Sequence, residues 1–390
     1  MAGINVHIYP SPFRNESRIL KITEFLERAE MFEHIYVIAT AAEDLPASES
    51  ISPGRTVLRL ARRSGVEGAG MLGKVAGTLR WSLRVWSAAT RLSLACINCH
   101  SLPVLPLCVA LKLRTGAKLV YDIHELETET ANSTGLRRIL AKVMERLLIR
   151  FADEVVVVND YIRDWYVRAY GLKRAWTVKN VPRRTIEPPP RSRTLRNEFG
   201  IPDGALLLIY QGVLARGRGV ETMLRVFERA APEQHLVLMG FGPLTEMVLD
   251  HAACCPNIHY RRAVAPQDVP TYTAGADVGL CLIENVCLSY FHCLPNKLFE
   301  YANCGVPVIV SDFPEMSEFV ERHGCGWCID PDERSLARTL AALSSEEIMV
   351  RRERALAARP LFGWELEEPT LRDIYGGLGF TVVPNEKRDL

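Results

Sequence analysis

Three consecutive prolines, Pro188, Pro189 and Pro190, followed by the basic run 191–196, interrupt this 390-residue chain near its middle. Proline has no amide hydrogen and a fixed φ, so neither a helix nor a central strand continues through such a stretch. With Val181-Pro182 just upstream, the segment 183–192 reads as a connector. Each half must then build its own core. Before the connector, residues 4–9 read as a strand, followed by a polar loop over 11–17 and an amphipathic helix through about residue 30. Further strands are expected over 35–39, 95–98, 118–123 and 154–158. After it the pattern restarts, with strands over 206–210, 235–239, 278–282 and 306–310. Near-continuous apolar strands separated by helical stretches indicate parallel sheets covered on both faces. The expected fold is therefore α/β, with two doubly wound Rossmann-like domains and a ligand in the cleft between them at the strands' C-terminal ends. The length suits two or three domains.

Composition excludes some classes. Lys plus Arg number 47 and Asp plus Glu 46, a net charge of +1, which predicts no general affinity for nucleic acid. The 11 cysteines do not read as a disulfide framework in so long a chain. Cys96 and Cys99 fall in an apolar run where an i,i+3 pair points to opposite faces of a sheet. Cys325 and Cys328 flank a turn-like Gly326-Trp327. Zinc requires the fold to bring the two pairs together, and reduced thiols are expected instead. The N-terminus enters a strand without a basic region or long apolar core, and no run of eighteen apolar residues occurs, so a cytoplasmic location without membrane spans is expected.

The densest chemistry lies between Glu284 and Asp312. Pro295, Asn296 and Lys297 open a helical segment, Leu298-Phe299-Glu300-Tyr301-Ala302, which Gly305 and Pro307 end before a buried strand. A helix N-terminus presents unpaired N–H groups and positive potential, which suits a diphosphate. Lys297 adds a point charge, and Glu300 can accept hydrogen bonds from ribose hydroxyls. The plainer alternative has Asn296 capping an ordinary helix and Glu300 facing solvent; spacing alone leaves the two level.

Leu294-Pro-Asn-Lys-Leu-Phe-Glu-Tyr301, then Cys304-Gly-Val-Pro-Val-Ile-Val-Ser-Asp312, resembles the donor-site segment of the family-four retaining glycosyltransferases of the two-Rossmann (GT-B) fold. Val120-Tyr-Asp-Ile-His-Glu125, Asn180-Val-Pro182, Tyr210-Gln-Gly-Val-Leu214 with Arg218-Gly219, and Phe362-Gly-Trp-Glu365 with Leu371-Arg-Asp-Ile-Tyr375 follow that family's order. The resemblance implies an acceptor-binding domain over 1–184, onto which a C-terminal helix, 364–390, packs back, and a nucleotide-sugar domain over 185–363. It implies catalytic roles for His124, Arg218 and Glu300, with Arg218 stabilising charge on the leaving diphosphate in place of a metal. Arg216 is a second candidate there. Gly240 and Gly242 form a glycine turn at the donor, Val264 holds the base through its main chain, and Leu294, Pro295, Asn296 and Lys297 belong to the donor segment. Glu125 falls on the acceptor side.

Two departures stand out. Where the family usually carries a glutamate eight positions before Glu300, this chain has His292, which can hydrogen-bond a sugar hydroxyl without being a permanent carboxylate. The loop after the first strand lacks paired glycines, so Arg14 and Arg18 become acceptor-side candidates, with solvated surface charge an equal alternative. No carboxylate pair offers itself as nucleophile and acid, and the Asp330-Pro-Asp332 motif reads as a helix cap rather than a metal site.

Residues 55–92 hold eight basic side chains, Arg55, Arg59, Arg62, Arg63, Lys74, Arg80, Arg84 and Arg91, against one acid, Glu67. Leu72, Leu79, Leu83 and Trp86 share one helical stripe, and Arg80, Arg84 and Arg91 another. Peripheral membrane contact through 71–92, at the inner membrane face, is thus expected, the alternative being a packed helix with solvated arginines. The leading expectation is a metal-independent, cofactor-free enzyme moving a hexose from a UDP- or GDP-sugar to a glycan or lipid-linked acceptor in polysaccharide synthesis. A silent nucleotide-binding relative and a sugar-nucleotide epimerase are the alternatives.

Overall fold

A computed structural model describes residues 3–14, 16–61 and 71–381. The chain divides into two compact units, residues 1–180 with 367–390, and residues 181–366.

The first unit is built on an eight-stranded sheet. Its strands are β1 (Ile4–Ile8), β2 (His34–Thr40), β3 (Ser48–Ser52), β4 (Arg55–Leu60), β5 (Leu94–Cys99), β6 (Lys118–Ile123), β7 (Glu154–Val157) and β8 (Trp176–Thr177). They lie in the order β3-β4-β2-β1-β5-β6-β7-β8. All neighbours are parallel except β3 and β4. The strand order reverses between β1 and β5, the point at which open α/β sheets hold ligands. Helices Met71–Ala89, Leu105–Thr115, Gly135–Leu148 and Asp160–Tyr170 contribute to one apolar cluster with the sheet.

The sequence pattern misses the β3–β4 hairpin, because β4 alternates in reverse. Its buried positions include Arg55 and Arg59. Burial of a guanidinium demands partners. Arg55 pairs with Glu27 at 2.7 Å, and Arg59 with Glu49 at 2.7 Å while donating to the carbonyls of Pro12, Pro46 and Phe13. These two arginines therefore do not belong to a solvated basic surface, which corrects that part of the sequence expectation. Arg62, Arg63 and Glu67, and the side chains of Leu72 and Lys74, lie outside the described residues. Trp86 is half-buried against the core, while Leu79 and Leu83 are exposed.

The second unit carries a six-stranded parallel sheet. Its strands are β9 (Leu206–Val213), β10 (Gln234–Phe241), β11 (Ile258–Arg262), β12 (Val278–Cys281), β13 (Val308–Ser311) and β14 (Gly326–Ile329), in the order β11-β10-β9-β12-β13-β14. Both faces are buried. Leu207 and Ile209 enter one cluster, Leu208 and Tyr210 the other, and β13 repeats the alternation. This two-sided burial explains why the strands read as unbroken apolar runs. The stretch at Cys325 and Cys328, expected as a turn, lies at the edge strand β14. All eleven cysteines are free.

Residues 367–381 return to the first unit, where Tyr375 donates to Asn98 at 2.6 Å and Glu367 accepts from the Lys179 amide at 2.9 Å. In the second unit, Tyr301 is wholly buried, its hydroxyl accepting from the Gln211 amide and reaching the carbonyls of Ile209 and Leu280, each at 3.2 Å. It fits because Gly279 has no side chain; a Cβ there would stand 2.6 Å from the ring. Gly279→Ala is expected to cost about 1–3 kcal/mol through overpacking, seen as a lower urea midpoint. An unchanged midpoint contradicts this packing account.

Candidate functional site

In the second unit, the C-terminal ends of β9 and β10 and the helix Asn296–Asn303 frame a cleft of about 420 Å³ beside the β9/β12 reversal of strand order. Arg218, Gly240, Val264, Pro295, Asn296, Lys297 and Glu300 all line it. The strand ends approach closely: a Cβ on Gly240 would fall 1.8 Å from the Gly212 carbonyl oxygen. Only glycine permits that approach.

The helix Asn296–Asn303 has Pro295 as its N-cap and no side-chain cap. Asn296 is thus the first helical residue rather than the cap, a correction with a consequence. The N-terminal amides of the helix are left facing the cleft without a side chain to satisfy them. Two cations stand beside them, each held by an aromatic ring rather than a carboxylate. The Lys297 Nζ sits 3.9 Å from the Tyr210 ring centroid, and the Arg218 guanidinium carbon 4.5 Å from that of Tyr290. Cation–π contacts orient a charge without neutralising it.

Glu300 does not face solvent as an idle helical residue. Gln211 donates from Nε2 to Glu300 Oε2 at 2.6 Å, and Thr273 donates to Gln211 Oε1 at 2.6 Å. The carboxylate only accepts, which turns Gln211 Nε2 towards it and leaves Oε1 to the Thr273 hydroxyl. Val213 and Phe241 are exposed, and with Val264 and Val269 they supply apolar lining. Sequence reasoning did not single out Gln211, Phe241 or Val269. Gln211 lies inside the quoted Tyr210-to-Leu214 segment, but its role depends on a contact 89 residues away.

Other predicted residues fall outside the lining. Arg216 has 89% of its side chain exposed, with Glu221 at 3.9 Å. Gly242 follows β10 and its amide meets the Thr245 hydroxyl. His292 ends the short helix Leu288–Phe291 and packs edge-on to Phe291. Leu294 packs among core residues. Asp332, from the Asp-x-Asp motif, caps Glu333–Ala342 by accepting from Ser335 at 2.7 Å.

In the first unit, a buried polar network occupies the ends of β1, β5 and β6. Arg18 is buried, not solvated or reaching outward. It clasps the buried Asp122 with contacts of 2.6–3.1 Å and donates to the Val178 carbonyl. Asp122 also meets His100 at 3.0 Å and His124 at 3.4 Å. His100 is 2.8 Å from the Nδ1 of His7. With His100 Nδ1 donating to the carboxylate, a neutral His100 accepts at Nε2 from His7 Nδ1–H. His124 is half-buried against Tyr9, and Glu125 is exposed. Arg14 is exposed and paired with Asp44. The ring nitrogens of His100 and His124 and a carboxylate oxygen of Asp122 lie within 4.8 Å of one another, close enough for a metal ion. The guanidinium already engages both carboxylate oxygens.

Burial lowers His100 from its usual 6.5 to about 4, despite the hydrogen bond to Asp122. Burial and then the charge of His100 push His7 well down. Asp122 is held well below the usual carboxylate range by Arg18 and the two histidines, which outweigh its burial. A lowered histidine contributes stability above its unfolded value and loses it as pH falls. The first unit is therefore expected to weaken from pH 6.5 towards 4, by about 1.4 kcal/mol per pH unit for each histidine that titrates. His100→Gln should flatten that slope in urea denaturation; an unaltered slope removes His100 from the account.

The chain matches the model of the 4-like domain of glycosyltransferases over residues 22–180 and that of the group 1 glycosyltransferases over residues 205–346. It is 22% identical over 297 residues to the chitobiosyldiphosphodolichol beta-mannosyltransferase of Candida albicans, covering 70% of this chain and 64% of that one. It is 23% identical to the alpha-galactosylglucosyldiacylglycerol synthase of Streptococcus pneumoniae, covering 52% and 55%. The matches thus span little over half to just under two thirds of these relatives' own length. Among solved structures, sucrose-phosphate synthase from Thermosynechococcus elongatus superposes with a TM-score of 0.76 at 18% identity, covering 97% and 99%. HepE from Anabaena in complex with UDP-glucose gives 0.73 at 13%, covering 96% and 100%. Two family models in order, over two parallel-sheet units of the GT-B type, place this chain among the group 1, family-four type glycosyltransferases.

Proposed function

We propose that the chain is a metal-independent retaining glycosyltransferase that draws a hexose from a UDP- or GDP-sugar. The observation that carries the donor assignment is the helix N-terminus at Pro295: uncapped by a side chain, opening on the cleft, with Lys297 and Arg218 beside it. Helix amides and two cations suit a diphosphate. Glu300 lies about one helical turn further in, roughly 5 Å along the axis. That spacing suits the ribose diol. The apolar side chains Val213, Phe241, Val264 and Val269 suit a base.

As the glycosidic bond breaks, negative charge grows on the diphosphate. Arg218, Lys297 and the helix amides are in place before it appears, so they stabilise it without reorganising. They supply the charge that a metal ion supplies elsewhere, and the nucleotide sugar enters as substrate with no resident cofactor. The first unit is assigned to the acceptor, a glycan or lipid-linked molecule of polysaccharide synthesis at the inner membrane face, with His124 as its catalytic side chain. One relative is named for mannosyl transfer to a diphosphodolichol-linked sugar and another for synthesis of a glycosylated diacylglycerol, which supports a lipid-linked acceptor.

The test is a thermal-shift panel with UDP, GDP, ADP and their sugars, with and without EDTA. One base family should stabilise the chain by about 2.7 kcal/mol at a hundredfold excess over Kd. Glu300→Ala and Arg218→Ala should each reduce the shift, and EDTA should leave it intact. No shift with any nucleotide overturns the donor assignment. Binding without donor hydrolysis or transfer points to a silent relative, a changed sugar to an epimerase, and anomeric inversion removes the retaining assignment.

A further inference from the structure

The helix Gly135–Leu148 carries an apolar stripe that nothing among the described residues covers. Leu136, Ile139, Leu140, Val143 and Leu147 are 70%, 59%, 60%, 51% and 48% exposed. At roughly 100° per residue they fall within about 100° of one another on the helix. Single exposed leucines need no explanation, but five aligned on one helix do. The opposite side is fully engaged. Ala141, Met144 and Leu148 pack on the core, and Glu145 accepts from the hydroxyls of Tyr121, Tyr166 and Tyr170 at 2.8, 2.9 and 2.5 Å. The helix is thus fixed in orientation, with its apolar stripe outward.

Charge decides what the stripe fits. Residues 130–150 contain five basic side chains and one acid. That acid is Glu145, turned inward. Arg138, Lys142 and Arg146, four apart, run along one edge of the stripe, with Arg137 on the other side and Arg150 beyond the end. Glu129, from outside the helix, is buried and pairs with Arg138 and Lys142. The outer face therefore offers aliphatic side chains bordered by cations and no exposed acid. Helix Leu105–Thr115 packs against both Gly135–Leu148 and Met71–Ala89. On these neighbours Leu79, Leu83 and Leu113 are exposed, as are Arg80, Arg84 and Arg114. No described helix is long and apolar enough to cross a membrane.

We propose that this helical layer, led by Gly135–Leu148, is a docking face for an anionic lipid surface, with the stripe inserted among acyl chains and the arginines among headgroup phosphates. An amphipathic helix with a basic border binds in the interface plane by this combination. A second copy of the chain fits less well, because twofold pairing brings together identical basic borders with no acid to meet them. The proposal does not rest on sugar transfer, and it extends the membrane contact expected at 71–92 to a surface centred on residues 136–147.

The test is flotation of the full chain with phosphatidylcholine vesicles, with and without about a third phosphatidylglycerol. Binding is expected to the anionic vesicles only, and to weaken with salt. Combining Ile139→Gln, Leu140→Gln and Val143→Gln should reduce the bound fraction about tenfold or more. Arg137→Glu with Arg146→Glu should do likewise. Both variants are exposed-site changes, expected to retain the thermal midpoint and any nucleotide-induced shift, which separates this proposal from the donor assignment. Absence of vesicle binding, binding undiminished in the triple variant, or a dimer that the triple variant dissolves would each overturn it.

Discussion

A fully buried carboxylate has to be met by donors or lose its charge, and Asp122 is met by Arg18, His100 and His124 together. Arg18 comes from the helix Ser17–Arg28, Asp122 from β6, and His100 and His124 from the ends of β5 and β6. The same guanidinium donates to Val178, just past β8. One ion pair thus ties the first helix to the strand ends, where His124 emerges half-exposed. Removing one partner of such a pair leaves an uncompensated buried charge, typically at a cost of about 3–5 kcal/mol. The imidazole chain from Asp122 through His100 to His7 extends the constraint across the sheet to β1.

The second unit solves a different problem. Its cleft keeps two cations oriented without neutralising them. Two aromatic rings perform this task, Tyr210 under Lys297 and Tyr290 under Arg218. The carboxylate in the same cleft, Glu300, accepts from the side-chain amide of Gln211. Tyr301, on the same helix, anchors the segment into the sheet through Gly279. Packing of that ring and placement of Lys297 and Glu300 are therefore one event.

Charge shows how far local sequence can mislead. Arg55 and Arg59 look like part of a basic surface, yet both are consumed inside the first unit by Glu27, Glu49 and carbonyl groups. Residues 135–148 attract less attention in sequence, because leucines and arginines at helical spacing describe any amphipathic helix. Only burial reveals that five of the aliphatic side chains face outward and that the acid faces inward.

What the sequence determined by itself was the fold class and the helix Asn296–Asn303. Unbroken apolar runs such as Leu206 to Tyr210 follow directly from strands buried on both faces, and Pro188 to Pro190 mark a break that no sheet crosses. The Pro-Asn-Lys and Glu300 segment was legible because a helix N-terminus has a local signature. The hairpin β3–β4 was not, since arginine on a buried face inverts the pattern that periodicity reads. Nor was the fate of Arg18, Gln211 or Glu145. Their partners lie 104, 89 and 21–25 residues away. Whether a charged side chain meets water, a ligand or a buried partner is decided by that long-range pairing, and only the tertiary structure supplies it.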